Sequence, residues 1–236
     1  MTMTARRTRC ESCAGPMPLM ARADARFCGD TCRKRAHRSR LAARRQRVAS
    51  EQAARVPVEL TSRPRWVRYS SRKVPLRVDG RFAAVNDPSS WSDFDAVVTA
   101  SVGEGIGFVL TPHDRIVVID LDCAVEDGRV LPWAQRIVDA LPTTYMERGR
   151  SGTGLHLWFR GEVPAGRRIR KNELAVEVYS DRRYIIIGDR VSGTPLELAE
   201  LPDAAGVIAS LVWRPGGVPE GALLLIQPFA RPGGVL

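Results

Sequence analysis

The sequence lacks long apolar stretches: none approaches the ~20 residues that a helix needs to cross a bilayer. The N-terminus is polar and rich in arginine, so it lacks the apolar core of a secretory signal. Cysteine is also scarce, with 5 in 236 residues. We therefore expect a soluble, intracellular protein whose clustered cysteines bind a metal rather than form disulfides. The length allows one large domain, or one domain with a small module attached.

Acidic residues are sparse in the first quarter of the chain. Residues 1–56 hold 14 Lys and Arg against 4 Asp and Glu, whereas residues 57–236 hold 22 of each. The whole net charge of +10 therefore lies in the first segment. Such a distribution is typical of a nucleic-acid-binding segment that is joined to a neutral domain.

Four of the five cysteines form two closely spaced pairs in the basic segment, with the pattern C-x2-C-x14-C-x3-C. A structural Zn²⁺ site takes four thiolate or imidazole ligands in a tetrahedron, often as two short-spaced pairs. The gap between the pairs is long enough to bring them together. We predict a structural zinc site, with free thiols or an adventitious metal site as the alternatives. The proposed ligands are Cys10, Cys13, Cys28 and Cys32.

A basic run that is compatible with a helix follows the cysteines and ends near Arg55. Each phosphate that such a run neutralises would add salt-dependent affinity, so we favour contact with nucleic acid over a merely solvated surface. Residues 26–38 also resemble small treble-clef-like zinc fingers, although Gly29 stands where that family often has Ser. The sequence thus suggests a zinc-binding module over 1–38, a basic helix and linker over 39–60, a catalytic domain over 61–213 and a Pro/Gly-rich tail over 214–236.

The apolar run Ile116–Asp122 ends in two carboxylates that are two residues apart. In a strand, alternate side chains point to opposite faces, so Asp120 and Asp122 would share one face with Cα atoms roughly 6.6 Å apart. Two such carboxylates repel each other unless cations lie between them, and Mg²⁺ is a hard ion that takes oxygen ligands. For this pair considered alone, two solvated aspartates at a strand end are the better interpretation.

Hydrophobic periodicity and turn residues predict an alternation of strands and helices downstream of Pro64. We expect Gly105–Leu110 and Ile116–Asp122 to form a hairpin, and Ser90 to cap a helix with Asp93 three residues on. Residues 167–171 are interpreted as a basic loop. Further strands are expected at 66–69, 144–147, 155–159, 174–179 and 183–188, and further helices from Pro132 and over 204–213.

Three separate strands carry polar groups on the face opposite their apolar neighbours. These groups are the Asp120/Asp122 pair, His156 and Glu177, and a turn rich in small residues, 148–154, stands just before the histidine. Any one of these features is unremarkable in a soluble domain. Their combination is not, and it favours a shared site.

This order of features resembles the archaeo-eukaryotic primase superfamily, specifically the bifunctional primase–polymerase (Prim-Pol) domains of phage and plasmid replication proteins. The resemblance covers about 66–190 and is specific, because three spaced motifs occur in order. Gly149 stands where many relatives have Ser, and Ile187 where many have Thr. The motifs are Ile-Asp-Leu-Asp (119–122), Glu-Arg-Gly-Arg-Ser-Gly-Thr-Gly-Leu-His (147–156) and Val-Glu-Val-Tyr-Ser-Asp-Arg-Arg-Tyr (176–184).

The resemblance implies a fold and a set of site residues. The fold would be α/β (α+β), with an RRM-like, mostly antiparallel sheet flanked by helices. Asp120, Asp122 and Glu177 would hold two Mg²⁺ or Mn²⁺ ions, and with His156 they would form the catalytic group. Glu147 and Cys123 are left as structural. The incoming nucleotide would be bound by His156, the turn residues Ser151, Gly152 and Gly154, and the more distant Arg183 and Lys73.

The implied function is a DNA primase/polymerase that makes or extends primers from nucleoside triphosphates in phage or plasmid replication. Its expected partners are single-stranded DNA template and a separate replicative helicase, since no Gly-x4-Gly-Lys loop follows Pro202. We would place it in the cytoplasm of a bacterial or phage-infected host cell. The alternatives are a non-catalytic zinc-finger nucleic-acid-binding protein, and a metal-dependent nuclease or end-joining polymerase that uses the same carboxylates.

Overall fold

A computed structural model of the protein describes residues 8–171 and 173–212. The chain divides into two compact units, Met1–Ser50 and Glu51–Leu236, and we describe each by itself. The expected Pro/Gly-rich tail over 214–236 lies outside the described residues. The domain boundaries suggested by the sequence remain predictions.

The first unit is a small module built around the four clustered cysteines, and we call its described part, residues 8–50, the cysteine module. A tight turn after the first cysteine is closed by the Cys10 amide donating to the Gly15 carbonyl and by the Ala14 amide donating to the Cys10 carbonyl. Helix α1 begins at Asp30 and continues to Ala53, past the boundary of the unit. The helix that the basic run predicts is therefore present, and Cys32 lies in its first turn.

The described residues of the second unit form two main antiparallel sheets and four helices. One sheet has four strands in the order β11-β3-β1-β2, and the other has seven, with the path β12-β7-β8-β4-β10-β9 and β13 pairing in parallel with β8. The helices are α2 (Val58–Thr61), α3 (Phe94–Thr99), α4 (Pro132–Ala140) and α5 (Ala204–Val212). The strands are β1 (Trp66–Tyr69), β2 (Pro75–Leu76), β3 (Gly105–Leu110), β4 (Ile116–Leu121), β5 (Val125–Glu126), β6 (Arg129–Val130), β7 (Met146–Arg148), β8 (Leu155–Glu162), β9 (Arg167–Lys171), β10 (Leu174–Tyr179), β11 (Arg183–Ile186), β12 (Asp189–Arg190) and β13 (Ala199–Asp203).

Strand β4 is central because it is buried on both faces. Val117, Ile119 and Leu121 belong to a core shared with helices α4 and α5. Ile116 and Val118 belong to a second core, shared with Trp66 and Phe108 of the four-stranded sheet. A strand covered on both sides reads as a continuous apolar run, which accounts for the unbroken Ile-Val-Val-Ile. Asp120 points to the same face of β4 as Ile116 and Val118, because alternate residues of a strand share a face. It therefore lies at the end of the face that packs against the second core.

The predicted fold class, α/β with mostly antiparallel strands flanked by helices, is confirmed, but the strands are divided between two sheets. The expected hairpin between β3 and β4 is therefore wrong. Strand β3 pairs with β1 and β11 on its two edges, and β4 pairs with β8 and β10, so neither has an edge left for the other. A short 3-10 turn at Pro112–Asp114, followed by Arg115 at φ 51°, leads the chain from one sheet into the other.

The predicted capping role of Ser90 is also wrong. Helix α3 begins at Phe94 with Asp93 as its N-cap residue, and Ser90 ends a separate 3-10 turn. The Ser90 hydroxyl donates to the carbonyls of Ala84 and Asp87, and it accepts from the Ala84 amide at 3.0 Å. These bonds stabilise the preceding loop, so the hydroxyl does not reach the helix amides.

In the part of the chain that the structure describes, no helix is both long enough and apolar enough to cross a membrane.

Candidate active site

A row of polar side chains crosses the seven-stranded sheet at one level. Asp120 on β4 lies directly opposite His156 on β8 and directly opposite Glu177 on β10. Glu147 on β7 lies opposite His156, and Arg168 on β9 lies opposite Glu177. Because directly opposite residues of antiparallel strands point to the same face, all five side chains lie side by side. The register therefore brings together the polar groups of three separate sequence motifs.

His156 is held between two carboxylates. Its Nδ1 lies 3.0 Å from Glu147 Oε1, and its Nε2 lies 3.7 Å from Asp120 Oδ1. Burial lowers the pKa of His156, but the hydrogen bond and charge of Glu147, with the charges of Asp120 and Asp122, outweigh burial and raise it. The imidazole therefore tends to carry a positive charge next to the acidic cluster, which suits it to bind an anion.

Glu147 orients this histidine, a role that the sequence interpretation did not assign to it. The side chain is fully buried, and it accepts hydrogen bonds from the Tyr145 hydroxyl at 3.0 Å and the Trp158 indole Nε1 at 3.2 Å. A buried carboxylate needs such partners, because an unpaired one would be costly. Its position opposite His156 follows from the hairpin that joins β7 to β8 through the small-residue turn, so the turn signal in the sequence could have indicated this contact.

The carboxylates form an electrostatically unfavourable group unless a cation is present. Burial raises the pKa of Asp120 to about 6; His156 lowers it, whereas Asp122 and Glu177 raise it. A divalent cation bound among the three carboxylates would favour the ionised form of each. Oxygen donors of this kind are the ligands that Mg²⁺ and Mn²⁺ prefer, so the residues present fit such an ion.

Arg170 supplies part of the missing positive charge. One of its nitrogens, Nη2, donates to Asp122 Oδ2 and to Glu177 Oε1, each at 2.7 Å. Arg168 approaches the same Glu177 Oε1 at 2.7 Å. Between Arg170 and Asp122, the paired position on β10 is Ala175, whose small side chain leaves room for the guanidinium. A cation thus already lies between two of the proposed metal ligands.

The interpretation of 167–171 as a basic loop is wrong, because these residues form strand β9 and pair with β10 along its length. This pairing brings Arg168 and Arg170 to the acidic cluster. The signal that could have revealed the strand is its alternation, with buried Ile169 between two exposed arginines.

Farther along β10, Tyr179 connects the cluster to β11 of the four-stranded sheet. The Tyr179 hydroxyl donates to Glu177 Oε2. Arg183 lies over the Tyr179 ring, with its guanidinium carbon 4.8 Å from the ring centroid. Tyr179 therefore links Arg183, an expected nucleotide contact, to the carboxylate row.

The small-residue turn lies against the same row. A Cβ added to Gly154 would stand 4.0 Å from Asp120 Oδ1 and 3.3 Å from the Leu121 carbonyl oxygen, and one added to Gly149 would stand 3.5 Å from His156 Nε2. Gly152 has φ +77°, a conformation that L side chains rarely adopt. The Ser151 hydroxyl lies 2.9 Å from the Thr153 hydroxyl, inside the turn. The turn is therefore close enough to the cluster to bind a group held there.

Lys73 lies in the four-stranded sheet's β1–β2 connection, at φ 57°. Its carbonyl accepts from the Tyr184 hydroxyl, and its side chain is exposed. Among the described residues, no hydrogen bond or ion pair joins that side chain to the acidic cluster. Its proposed role as a nucleotide contact remains a prediction.

In the cysteine module, the ligand atoms of the four clustered cysteines all lie within 4.8 Å of one another. The Cys13 and Cys28 sulfurs are 3.7 Å apart and those of Cys28 and Cys32 are 3.5 Å apart. Four thiolates around Zn²⁺ at ~2.3 Å would have sulfurs about 3.8 Å apart, so the group fits that ion. Within the described residues, the carboxylates of Asp120, Asp122 and Glu177 do not meet the same distance limit.

The sequence matches, over residues 45–204, the family described as "Bifunctional DNA primase/polymerase, N-terminal". The chain belongs to this family. The matched range contains the whole carboxylate row and leaves out the cysteine cluster. The family resemblance stated from the sequence motifs is thereby confirmed.

The chain is also similar to the "DNA Primase-polymerase" of Nitratiruptor phage NrS-1. It is 30% identical over an alignment of 145 residues, and the alignment covers 58% of this chain and 20% of the phage protein. The chain therefore spans about a fifth of the length of this primase-polymerase. This similarity supports the family assignment of the present chain. It concerns only the matched fifth of the phage protein.

Proposed function

We propose that the second unit catalyses template-directed transfer of nucleotides from nucleoside triphosphates to DNA, as a DNA primase/polymerase. The observation that carries the proposal is the register of β4, which brings Asp120 opposite both His156 and Glu177. Family membership and the phage relative's description support the same activity.

In this proposal, Asp120, Asp122 and Glu177 hold two Mg²⁺ or Mn²⁺ ions. When bound, such ions supply the charge that neutralises a triphosphate and they lower the pKa of a primer 3′-hydroxyl. The protein's part is to place the carboxylates on adjacent strands, where the sheet keeps them rigid and near the turn that precedes His156.

The nucleotide's phosphates would lie between the histidine and the turn. His156 presents its Nε2 towards the cluster, 3.7 Å from Asp120 Oδ1, and Glu147 and its acidic neighbours raise its pKa and so favour the protonated form. The amides around Ser151, Gly152 and Gly154 can approach phosphate oxygens closely, since the glycines carry no Cβ. Arg183 would add a further positive charge at the β11 side. In-line transfer needs such positioning and charge, and no protein nucleophile.

Single-stranded DNA would serve as the template, bound by the cysteine module and the basic helix α1. The cysteine cluster would hold a structural zinc ion. The replicative helicase, the role in phage or plasmid replication and the bacterial or phage-infected host remain predictions from the sequence, because the matched part is a fifth of the phage relative.

The proposal is tested by primer synthesis on a single-stranded template, with labelled nucleotides and Mg²⁺ or Mn²⁺. Wild-type protein should make labelled product, and Asp120→Ala/Asp122→Ala should lose more than the ~10–100-fold typical of changes that only perturb metal ligands indirectly. Asp139→Ala, a change of an exposed carboxylate on α4, is the matched control and should keep full activity.

The products separate the candidate functions. Product made without a primer indicates a primase, and extension of an added primer alone indicates a polymerase. Shortening of the DNA would indicate a nuclease, and DNA binding without any product would indicate a non-catalytic binding protein. Either of the last two results would overturn the proposal.

A further inference from the structure

The cysteine module has a groove of about 320 Å³ between its first cysteine turn and one face of helix α1. Arg35, Ala36, Ser39 and Arg40 line the helix side. In an α-helix these four positions span a continuous face, because residues one, four and five apart lie within about 140° of one another. The other side of the groove contains Phe27. We call this feature the cysteine-module groove.

The groove carries a positive charge that it does not itself neutralise. Glu11 and Arg26, which also line it, form a two-pronged ion pair, with the Arg26 Nη2 2.7 Å from Glu11 Oε2 and its Nε 2.8 Å from the same oxygen. Arg35 and Arg40 have no ion-pair partner in the described part of the chain, and both are exposed. They are about 7.5 Å apart along the helix axis, so they can meet different groups of one ligand.

The groove also offers a flat surface. The Phe27 side chain is half-buried, and the Arg26 guanidinium carbon lies 5.8 Å from its ring centroid. Nucleic-acid bases stack on aromatic rings and on guanidinium planes. Ser12 and Ser39, at opposite sides of the groove, can donate or accept hydrogen bonds to the edge of a base.

We propose that this groove binds one nucleotide of single-stranded DNA, with its base stacked on Phe27 and its flanking phosphates paired with Arg35 and Arg40. The volume lies at the lower end of the ~300–1,000 Å³ that ligand sites occupy, which suits one nucleotide rather than several. The inference rests on the proposed function, since a template-directed enzyme must hold a single strand. It adds a defined subsite outside the catalytic unit.

The test is equilibrium binding of fluorescent oligothymidine by anisotropy, without nucleotides, over a series of salt concentrations. Phe27→Ala should weaken binding about 5- to 150-fold, the range that loss of one base stack produces, and leave the salt dependence unchanged. Arg35→Gln should lower the slope of log affinity against log salt by about 0.7, the value of one phosphate contact on a single strand. Arg38→Gln removes the same charge from a position outside the groove and is the matched control.

An oligonucleotide that lacks its bases separates stacking from a structural role of the ring. The Phe27→Ala loss should vanish on this backbone, whereas the Arg35→Gln change in slope should persist. Phe27→Trp should restore binding, and Phe27→Leu should not, although both keep bulk at this position. Bound zinc, measured by release to a chelating dye, shows whether each variant keeps its module folded.

An equal Phe27→Ala loss on both oligonucleotides, or equal effects of Arg35→Gln and Arg38→Gln, would overturn the groove as a nucleotide site. These outcomes are independent of the proposed function. Binding is measured in the absence of nucleotides, so its outcome does not depend on catalysis. Primer synthesis that survives while groove binding fails would leave the catalytic proposal intact.

Discussion

Replacing Arg170 by glutamine removes the guanidinium that joins Asp122 to Glu177. Its Nη2 donates to both carboxylates at 2.7 Å, the place that a bridging metal ion would take. If the carboxylates hold metal ions, the guanidinium must be displaced before an ion can bridge them. The variant should therefore lose stability without metal and gain affinity for it.

The magnitude follows from the exposure of the partners. Two hydrogen bonds between charged groups would contribute ~1.5–3 kcal/mol each if they were buried. However, the side chains of Arg170 and Asp122 are 39% and 43% exposed, so solvent screening reduces the interaction to the surface value of ~1 kcal/mol or less. Glu177, at 12% exposed, keeps Arg168 and the Tyr179 hydroxyl. Without the guanidinium, the metal ion no longer has to displace an interaction worth ~1 kcal/mol, so its affinity should rise about fivefold.

The assay is calorimetric titration of Mn²⁺ into protein without nucleotide or DNA, together with urea unfolding in chelator. Arg168→Gln is the matched control, because Arg168 contacts Glu177 and leaves the Asp122 bridge in place; its effect on Mn²⁺ affinity should be smaller. Unchanged or weaker Mn²⁺ binding in Arg170→Gln would refute the reasoning, since the arginine would then support the site instead of competing for it.

Three further changes test other parts of the molecule. Glu147→Gln should lower the free energy of unfolding by ~2–5 kcal/mol, because an amide cannot accept from all three buried donors, and should reduce primer synthesis ~10–100-fold by misplacing His156. Burial raises the pKa of Asp114, but Thr111, Arg65 and Arg63 outweigh it and lower that pKa. The ionised Asp114 therefore stabilises the fold fully above the unfolded pKa of ~3.9, and this stabilisation is lost as the pH falls below that value. Asp114→Asn should accordingly be less stable than wild type at pH 7, and the difference in stability should disappear in acid. Cys28→Ser should abolish stoichiometric zinc, measured by atomic absorption.

Each of these three variants has a control variant in which the same residue type is changed at an exposed or unclustered position. Glu126→Gln, Asp139→Asn and Cys123→Ser change the same residue types at exposed positions outside these networks and should behave as wild type. A Glu147→Gln variant of normal stability would show that the buried carboxylate does not organise its donors. A constant stability gap for Asp114→Asn from pH 7 to pH 2 would contradict its lowered pKa, and full zinc content in Cys28→Ser would remove it from the ligand set.

Parts of the site could be predicted because their signals are local. Asp120 and Asp122 share a face through strand alternation, which depends on two neighbouring residues and no partner strand. The positive φ of Gly152 follows from a turn built of small residues. The spacing of the four cysteines likewise predicts a cluster, because short gaps and a long loop are enough to close it.

Other parts depend on which strands pair, and no local pattern carries that choice. The contact of Arg170 with Asp122 requires β9 beside β10 and β10 beside β4. The expected hairpin after Leu110 failed for the same reason, because a turn that looks suitable does not decide whether its two strands share a sheet. Long-range register was needed in both cases.

From its residues alone, the chain determines a basic cysteine-rich segment, a neutral α/β segment and three motifs of one family. Alternation and spacing are properties of the covalent chain, so they can be recognised before it folds. Tertiary structure decided that Glu147, His156, Asp120, Glu177 and Arg168 stand in one row, and that a guanidinium bridges two of the carboxylates. Both results require β8 and β10 to pair with β4, from which they are far apart in sequence, and burial of apolar faces selects that register.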